Sequence, residues 1–203
     1  MKILYLGNSD SPLIAYLQAH GEEIVATTDK IDMNFIHLHL PEFIVSYGYR
    51  HIISDDILKH YPDTAVNLHI SLLPWNRGAD PNFWSFVENT PKGVTIHYLD
   101  KGVDTGDIIV QKQVEFSEKD TLHTSYLKLH EEIQNLFKQH WAKIRIGKCP
   151  RISQNSIYQT ASSHRLIDKQ KLSFLLTNGW HTPVKILEEY AAETQLSSKF
   201  WCD

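Results

Sequence analysis

Cysteine and long apolar runs are both scarce in this sequence. The two cysteines, Cys149 and Cys202, form no Cys-x-x-Cys pair, so a disulfide framework is not expected. The longest apolar stretches, such as residues 42–46, are far shorter than the roughly 20 residues of a membrane-spanning helix. Residues 1–4 lead directly into a strand-like run without a signal-peptide cleavage site. We therefore expect a cytoplasmic protein with no membrane partner.

An excess of positive charge is also absent. The 20 Lys and Arg residues against 24 Asp and Glu residues give a formal net charge of −4. This balance offers no basic surface to hold a phosphate backbone, so we expect no nucleic-acid partner.

The 12 histidines raise the question of a metal site. His37 and His39 would present two imidazoles on one side of a strand, because side chains alternate along a strand. No third ligand follows at a recognisable spacing, so no metal is expected.

The composition is that of a globular protein with a sizeable core. Apolar residues make up 42% of the chain, charged residues 22% and aromatic residues 11%, with no biased run. A length of 203 residues suits one large domain, or one domain with a small appendage.

Strand-like and helix-like segments alternate along the chain. Buried strands are predicted over about residues 2–6, 23–27, 43–46, 65–69, 93–99 and 108–116. Helices are predicted over about residues 11–20, 54–60, 79–88, 121–146, 169–177 and 183–195. Such alternation is typical of an α/β protein with a mostly parallel, twisted sheet that carries helices on both faces.

A domain boundary is predicted near residue 150. Gly147 and Pro150 follow the long helix as a C-cap glycine and a proline beyond it. Residues 1–150 are therefore the predicted main domain, and residues 151–203 are called the C-terminal extension. The extension begins with the polar stretch 153–163 and is too short to form a core alone. We expect it to pack on the main domain or on a partner subunit.

The first strand leads into the turn Gly7-Asn8-Ser9-Asp10-Ser11-Pro12. Open α/β sheets bind ligands at the carboxyl ends of their strands, which is where this turn lies. It lacks the Gly-x-Gly-x-x-Gly spacing, so a dinucleotide cofactor is not expected. The turn is interpreted either as an anion site beside the first helix or as an ordinary capped turn.

Three polar residues are predicted to converge at an edge of the sheet. Asn67 and His69 share one side of the fourth strand, since side chains alternate with a period of two. Asp104 lies 35 residues beyond His69, in the glycine-containing turn 104–107. Such a set supplies an oxyanion donor, a proton-transfer group and a carboxylate that orients the imidazole.

The three candidates belong to a series of linked motifs. In order, these are Asn67-x-His69-x-Ser71-Leu72-Leu73-Pro74, Arg77-Gly78, Gly93-Val94-Thr95-x-His97 and Val103-Asp104-Thr105-Gly106-Asp107-Ile108-Ile109-x-Gln111. Over about residues 1–116 the sequence resembles the formyltransferase family that uses 10-formyltetrahydrofolate. The resemblance implies a Rossmann-like formyltransferase domain, a catalytic triad of Asn67, His69 and Asp104, and 10-formyltetrahydrofolate as co-substrate.

Further residues bear on the acceptor of the formyl group. Glycinamide ribonucleotide formyltransferases typically carry a Gly-x-Gly-Ser-Asn loop where this chain has Gly7-Asn8-Ser9-Asp10, and methionyl-tRNA formyltransferases add an RNA-binding domain. Residues 46–53 and 75–85 look more like the sugar N-formyltransferases. That resemblance implies an amino-dideoxy sugar on a nucleotide, such as dTDP-4-amino-4,6-dideoxyglucose or a 3-amino isomer, formylated for surface polysaccharide (O-antigen) synthesis.

Three alternatives stay open. The chain could be a glycinamide ribonucleotide formyltransferase, or a hydrolase in which water replaces the amine and formate is released. It could also be a catalytically idle relative that binds folate or a nucleotide sugar. The intact set of Asn67, His69 and Asp104 argues against the idle relative, because buried polar groups are costly to keep together without a use.

The resemblance also implies two sets of binding residues. The folate would contact Tyr47, Tyr49, His51, Ile52, Asp100 and Asp107. The nucleotide sugar would contact Asn8, Ser9, Trp75, Asn76 and Arg77, and the arginine is suited to bidentate pairing with a diphosphate. His97 is interpreted instead as a hydrogen-bonded core histidine.

A homodimer is expected through the C-terminal extension, which should also supply part of the nucleotide-sugar site. The extension is too apolar for a solvated tail, and a symmetric partner would cover what the main domain does not. Its apolar residues are Ile152, Ile157, Tyr158, Leu166, Leu172, Phe174, Leu175, Leu176, Trp180, Val184, Ile186, Leu187, Tyr190, Phe200 and Trp201.

Overall fold

The structure, a computed structural model, describes residues 1–156 and 161–199. The strands are β1 (Lys2–Gly7), β2 (Glu23–Thr27), β3 (Phe43–Tyr47), β4 (Ala65–His69), β5 (Arg77–Gly78), β6 (Gly93–Tyr98), β7 (Ile108–Gln113) and β8 (Ser163–His164). The α-helices are α1 (Pro12–Ala19), α2 (Met33–His39), α3 (Asp55–Leu58), α4 (Pro81–Val87), α5 (Leu122–Ile144) and α6 (Val184–Lys199).

Six of the strands form one sheet in the order β2-β1-β3-β4-β6-β7. The first four of these run parallel to one another, whereas β6 pairs antiparallel with β4 and β7 antiparallel with β6. The predicted α/β class with a mostly parallel sheet is confirmed. The two antiparallel strands on one side are the part of the sheet that the alternation did not predict.

Helices cover both faces of the sheet, and the strand side chains alternate between them. Ile3 and Tyr5 of β1 pack in a cluster with residues of α1 and α5. Leu4 and Leu6 of the same strand pack in a second cluster with residues of α2 and α3. A strand buried on both faces has no polar side, which explains the continuous apolar run in the sequence.

The long helix α5 presents one buried stripe to the sheet. Its buried side chains recur every three or four residues: Leu122, Ser125, Leu129, Ile133, Leu136, Phe137, Trp141 and Ile144. The helix starts at a capping box in which Thr121 and Thr124 exchange side-chain to main-chain bonds. Ser11 caps α1 by accepting a hydrogen bond from the Leu13 amide, with Pro12 in the first turn.

Three predicted elements differ in the structure. His37 and His39 lie in α2, not in a strand, so their side chains point in different directions around the helix. The predicted helix over 169–177 is a 3₁₀ helix, Asp168–Leu175, kinked at Leu172. The predicted strand over 108–116 ends at Gln113.

The C-terminal extension packs on the main domain. The strand β8 pairs with β5, and α6 lies against α4. A third apolar cluster joins the two parts: Phe83, Trp84, Phe86, Val87, Leu122, Leu175, Val184 and Leu187. Of the residues expected at a dimer contact, Ile157, Tyr158, Phe200 and Trp201 lie outside the described residues. Within the described ranges, no helix is long and apolar enough to cross a membrane.

Candidate active site

The antiparallel pairing of β4 and β6 brings the three predicted catalytic residues together. In this register Asn67 lies opposite His97, and His69 opposite Thr95. Because β6 runs back along β4, the loop after it starts beside Ala65. That loop turns so that Asp104 reaches the side chains of Asn67 and His69.

The carboxylate of Asp104 is the centre of the cluster. Its Oδ1 accepts a hydrogen bond from Nδ2 of Asn67 at 3.1 Å, and its Oδ2 lies 3.5 Å from Nδ1 of His69. The Gly78 main-chain N–H donates to Oδ2 at 2.9 Å. The backbone of Asp104 has a φ of 54°, in the left-handed region that aspartate tolerates better than most residues.

The environment keeps Asp104 ionised. Burial is the largest single influence and by itself would raise the pKa of this carboxyl. The charge of His69, the contact with His97 and the Gly78 N–H together outweigh burial and hold the pKa of Asp104 well below its ordinary value.

Both ring nitrogens of His69 face hydrogen-bond acceptors. Nε2 lies 3.1 Å from the main-chain oxygen of Asn76, and Nδ1 faces the Asp104 carboxylate. A neutral imidazole has only one N–H group, so it can donate to one of these acceptors but not to both. Acceptors thus stand on both sides of this nearly buried ring.

His97 is a member of the cluster that sequence reasoning placed in the core. Only 1% of its surface is exposed, and its Nδ1–H donates to the main-chain oxygen of Tyr98 at 2.8 Å. Its Nε2 is 3.1 Å from Nδ2 of Asn67 and 3.4 Å from Oδ1 of Asp104. The alternation of side chains along β6, combined with the antiparallel register of β4 and β6, could have placed His97 beside Asn67. The sequence did not predict that register.

Gln154, from the C-terminal extension, holds the turn that carries Asp104. Its side-chain amide donates to the main-chain oxygens of Asp104 and Gly106 at 2.9 and 2.8 Å. Its Oε1 accepts two bonds from the guanidinium of Arg77, at 3.0 and 2.6 Å. The guanidinium of Arg77, which was predicted to bind a diphosphate, is therefore hydrogen-bonded to Gln154, the residue that holds the Asp104 turn.

The neighbouring predicted sugar contacts are also engaged with the protein. Asn76 is fully buried, and its side chain bonds to Glu88 and Thr90. Trp75 is half-buried, and its main-chain oxygen accepts a bond from Ser71. Asn8 and Ser9 are exposed beside the end of β1, where the Asn8 side chain accepts a bond from the Asp10 amide.

The predicted folate contacts after β3 differ in their exposure. The Tyr47 hydroxyl bonds to His130 and Gln134 of α5, and burial raises its pKa. The Tyr49 hydroxyl accepts from the Ile31 amide and donates to a main-chain oxygen, which fastens that loop. His51 and Ile52 are exposed, and 73% of the surface of Ile52 is open to solvent.

The two remaining predicted folate contacts stabilise the β6–β7 loop. The Asp100 carboxylate accepts bonds from the Gly102 amide and the Thr105 hydroxyl. The Asp107 carboxylate pairs with Arg151 at 3.1 Å. The loop around Asp104 is thus held at both ends by carboxylates.

A cleft of about 320 Å³ has residues of the main domain and of the C-terminal extension in its wall. Its wall includes Ile70, which directly follows His69, and Arg50 from the loop after β3. Tyr126 of α5 and Trp180 of the extension also line it, with ring centroids 5.3 Å apart. Lys169 lines the cleft as well, paired with Asp80 at 2.9 Å. Cations and aromatic rings thus line this cleft, together with the carboxylate of Asp80.

No group of three or more His, Cys, Asp or Glu side chains among the described residues is arranged to hold a metal ion.

The comparisons with known proteins identify the family of the chain. The family model described as Formyl transferase matches residues 16–140, which is more than half of the chain. The chain belongs to the formyl transferase family. The resemblance drawn from the motifs is confirmed, and the protein is a formyltransferase.

Three solved structures are similar to the chain over most of its length. The formyltransferase PseJ from Anoxybacillus kamchatkensis, in complex with UDP-4,6-dideoxy-4-formamido-L-AltNAc and tetrahydrofolate, is 49% identical over 94% of this chain and 100% of its own, with a TM-score of 0.89. A sugar N-formyltransferase from a Shewanella species is 22% identical over 85% and 79% of the two chains, with a TM-score of 0.69. A 4-N formyltransferase from Francisella tularensis is 21% identical over 84% and 78%, with a TM-score of 0.72. The last two support the fold alone.

Proposed function

We propose that the protein transfers the formyl group of 10-formyltetrahydrofolate to the amine of a 4-amino-4,6-dideoxy sugar carried on uridine diphosphate. The observation that supports this acceptor is the 49% identity with PseJ, whose complex contains a UDP-linked 4-formamido sugar and tetrahydrofolate. The dTDP sugars expected from the motifs have no comparable support, so uridine replaces thymidine in the proposal. A use of the product in surface polysaccharide remains an expectation from the resemblance.

The reaction forms a bond between the sugar amine and the formyl carbon, and breaks the bond from that carbon to the folate nitrogen. The amine loses one proton and the folate nitrogen gains one. Between these events the formyl oxygen carries a negative charge, and hydrogen-bond donors held in place lower the barrier by stabilising that charge.

Asn67 is the proposed amide donor to this oxygen. Both hydrogens on its Nδ2 have partners in the structure, namely Oδ1 of Asp104 and Nε2 of His97. Donation to the formyl oxygen replaces one of these bonds, and the other bond continues to hold the amide in place. Loss of such a donor typically costs about 3–4 kcal/mol of the barrier.

His69 and Asp104 handle the protons. The Nδ1–H of His69 is less tightly held than its Nε2–H, because the Asp104 oxygen is 3.5 Å away. We assign Nδ1–H as the group that protonates the departing folate nitrogen. The ionised Asp104 stabilises the imidazolium before this step, and directly or through water it accepts the proton that the amine sheds.

The acceptor is proposed to bind in the cleft beside Ile70. The rings of Tyr126 and Trp180 suit the flat uracil base, and 51% of the surface of Trp180 is exposed. Arg50 and Lys169 suit the diphosphate. Arg77, which is bonded to Gln154, is therefore replaced as the proposed diphosphate contact.

The proposed function is tested by incubating the protein with 10-formyltetrahydrofolate and a panel of acceptors, while the release of tetrahydrofolate is followed by absorbance. The panel contains UDP-linked and dTDP-linked 4-amino and 3-amino sugars, glycinamide ribonucleotide and water alone. We expect transfer to the UDP-linked 4-amino sugar with the highest kcat/KM. Transfer to glycinamide ribonucleotide, or release that needs no amine, would establish one of the alternatives instead.

The cleft is tested through the KM values of two variants. Arg50→Ala and Lys169→Ala should each raise the KM for the nucleotide sugar and leave the KM for the folate nearly unchanged. Lys171→Ala removes an exposed cation from the same 3₁₀ helix as Lys169 and serves as the control. An equal rise of both KM values would place the two cations outside the acceptor site.

A homodimer also remains part of the proposal. Several apolar side chains of the extension stay exposed although the extension packs on the main domain. The most exposed are Leu166, Ile167 and Phe174, which have 76%, 58% and 63% of their surface open. A second copy of the chain is the proposed cover for them.

A further inference from the structure

The orientation of His69 depends on a main-chain atom. Its Nε2–H donates to the carbonyl oxygen of Asn76, seven residues further along the chain. A backbone carbonyl can hold an imidazole only if the backbone itself is fixed. The question is therefore what fixes the chain at Asn76.

The backbone at Asn76 is in the left-handed region, with a φ of 55°. Its side chain is fully buried and bonded at both ends: Nδ2 donates to Oε2 of Glu88 at 3.0 Å, and Oδ1 accepts from the Thr90 hydroxyl at 2.7 Å. The Ser162 hydroxyl accepts from the Asn76 main-chain amide at 2.8 Å. These three contacts leave the Asn76 peptide little freedom to rotate.

Glu88, the acidic one of these partners, itself lies against the C-terminal extension. Its Oε1 lies 2.9 Å from Nε2 of His164, an ion-pair distance at an angle outside that of a hydrogen bond. The ring of His164 stacks on Trp84 with centroids 3.8 Å apart and planes 8° apart. The carboxylate thus bridges a residue of β8 and the amide of Asn76.

We propose that Glu88 is a positioning residue for formyl transfer. By holding the Asn76 side chain it fixes the carbonyl that accepts the Nε2–H of His69, and so sets the plane of the imidazole relative to Asp104. The inference rests on the proposed catalytic role of His69, but the contacts that carry it do not depend on the identity of the acceptor.

The test compares Glu88→Ala with Glu88→Gln. The alanine variant removes the acceptor for Asn76, and kcat is expected to fall about 10- to 100-fold while both KM values change less than about twofold, because small displacements of a catalytic group act on the chemical step. The glutamine variant keeps an oxygen that can accept from Asn76 and should restore most of kcat. Tyr61→Phe, which removes a buried hydrogen bond to Pro41 far from the cluster, is the control and should keep kcat.

A second readout is independent of any acceptor. In protein labelled with ¹⁵N-histidine, the His69 ring signals are assigned by their loss in His69→Asn. The Nε2 signal of His69 should shift in Glu88→Ala, stay near its normal position in Glu88→Gln and not move in Tyr61→Phe. If Glu88→Ala does not fold, Thr90→Val removes the donor to the other end of the Asn76 amide, and the same lowered kcat and shifted signal are expected.

The outcomes separate this inference from the proposed function. An unchanged kcat or an unchanged His69 signal in the alanine variant overturns the positioning role, and so does a glutamine variant as impaired as the alanine one. If the wild-type protein transfers formyl to no amino sugar, the proposed function fails. The ring signals of His69 then still decide whether Glu88 positions it.

Discussion

At the scale of single residues, the carboxylate of Asp104 contacts two of the other candidate side chains. One oxygen of Asp104 faces the imidazole of His69, and the other accepts a hydrogen bond from the amide of Asn67. Because its pKa is held well below the ordinary value, it is charged at neutral pH. The charge, and not only the shape, of this side chain is what the proposed mechanism uses.

Asp104→Asn tests that statement. The amide keeps the shape of the side chain but cannot balance an imidazolium, so we expect kcat to fall at least about 100-fold. Asn67→Ala and His69→Asn should cause losses of similar size. Steady-state kinetics with the acceptor identified in the panel measure all three.

The control is Asp63→Asn, which neutralises an exposed carboxylate paired with Arg151. It should leave kcat unchanged. Full activity of Asp104→Asn would remove the argument that His69 works as a cation.

His130 gives a second prediction at this scale, on stability. Burial lowers the pKa of His130 to about 4, against an ordinary value of 6.5. Between these two pH values the unfolded chain binds a proton that the folded chain does not, so the free energy of unfolding falls as the pH falls from 6.5 to 4. The expected loss from this residue is about 2–3 kcal/mol.

Urea denaturation at several pH values between 7 and 4 measures this loss. In His130→Gln, which keeps a polar partner near the Tyr47 hydroxyl, the decrease over this range should be smaller by about that amount. Identical pH dependence in the two proteins would show that His130 takes up its proton in the folded state as readily as in the unfolded one.

At the scale of secondary-structure elements, the short pair of strands β5 and β8 matters most to the site. Gly78 of β5 donates its N–H to Asp104 and has a φ of 84°. A Cβ at this position would lie 2.3 Å from the main-chain oxygen of His164 in β8. No residue other than glycine fits there without separating the two strands.

Gly78→Ala and Gly147→Ala form a matched pair. Both glycines have positive φ values, but a Cβ at Gly147 meets nothing within 4 Å. Gly147→Ala should therefore cost only the strain of the left-handed backbone, about 1–2 kcal/mol. Gly78→Ala should cost more and also lower kcat, because it displaces a donor to Asp104. Equal losses of stability, measured by thermal unfolding, would mean that β5 and β8 separate at little cost.

The sequence predicted the elements of the parallel part well, because buried parallel strands carry continuous apolar runs and long helices carry a regular stripe. It did not predict that β6 would turn back along β4, since the direction of a strand leaves no mark in its side-chain pattern. His97 was therefore placed in the core without its partners. The prediction that His37 and His39 lie on one side of a strand was wrong. A period of two in so short a segment does not distinguish a strand from a helix.

The residues of the site also fall into two groups, those that the sequence predicted and those that only the structure revealed. The motifs supply Asn67, His69 and Asp104 as candidates, and the structure brings their side chains together. The supports, Gln154 and Glu88, are ordinary residues whose importance depends only on which atoms they meet after folding. No spacing along the chain connects residue 154 with residue 104, and only the structure makes that connection.

At the scale of the whole molecule, the exposed apolar residues of the extension predict a homodimer. Light scattering at micromolar concentration should give a mass near twice the 23.5 kDa of one chain. Substituting Phe174, an exposed aromatic of the extension, by glutamate should then shift the mass toward that of one chain. A wild-type mass of one chain would show that the apolar residues stay in solvent.

The support that Gln154 gives to the Asp104 turn also sets an order of events during synthesis. The ribosome makes Asp104, the last of the three, 50 residues before it reaches Gln154, an interval of roughly 3–10 s at 5–20 residues per second. Until then the growing chain has its three candidate catalytic groups but not the amide that fixes the turn carrying Asp104. We expect the growing polypeptide to stay idle through this interval, so that activity begins only once translation has passed the extension.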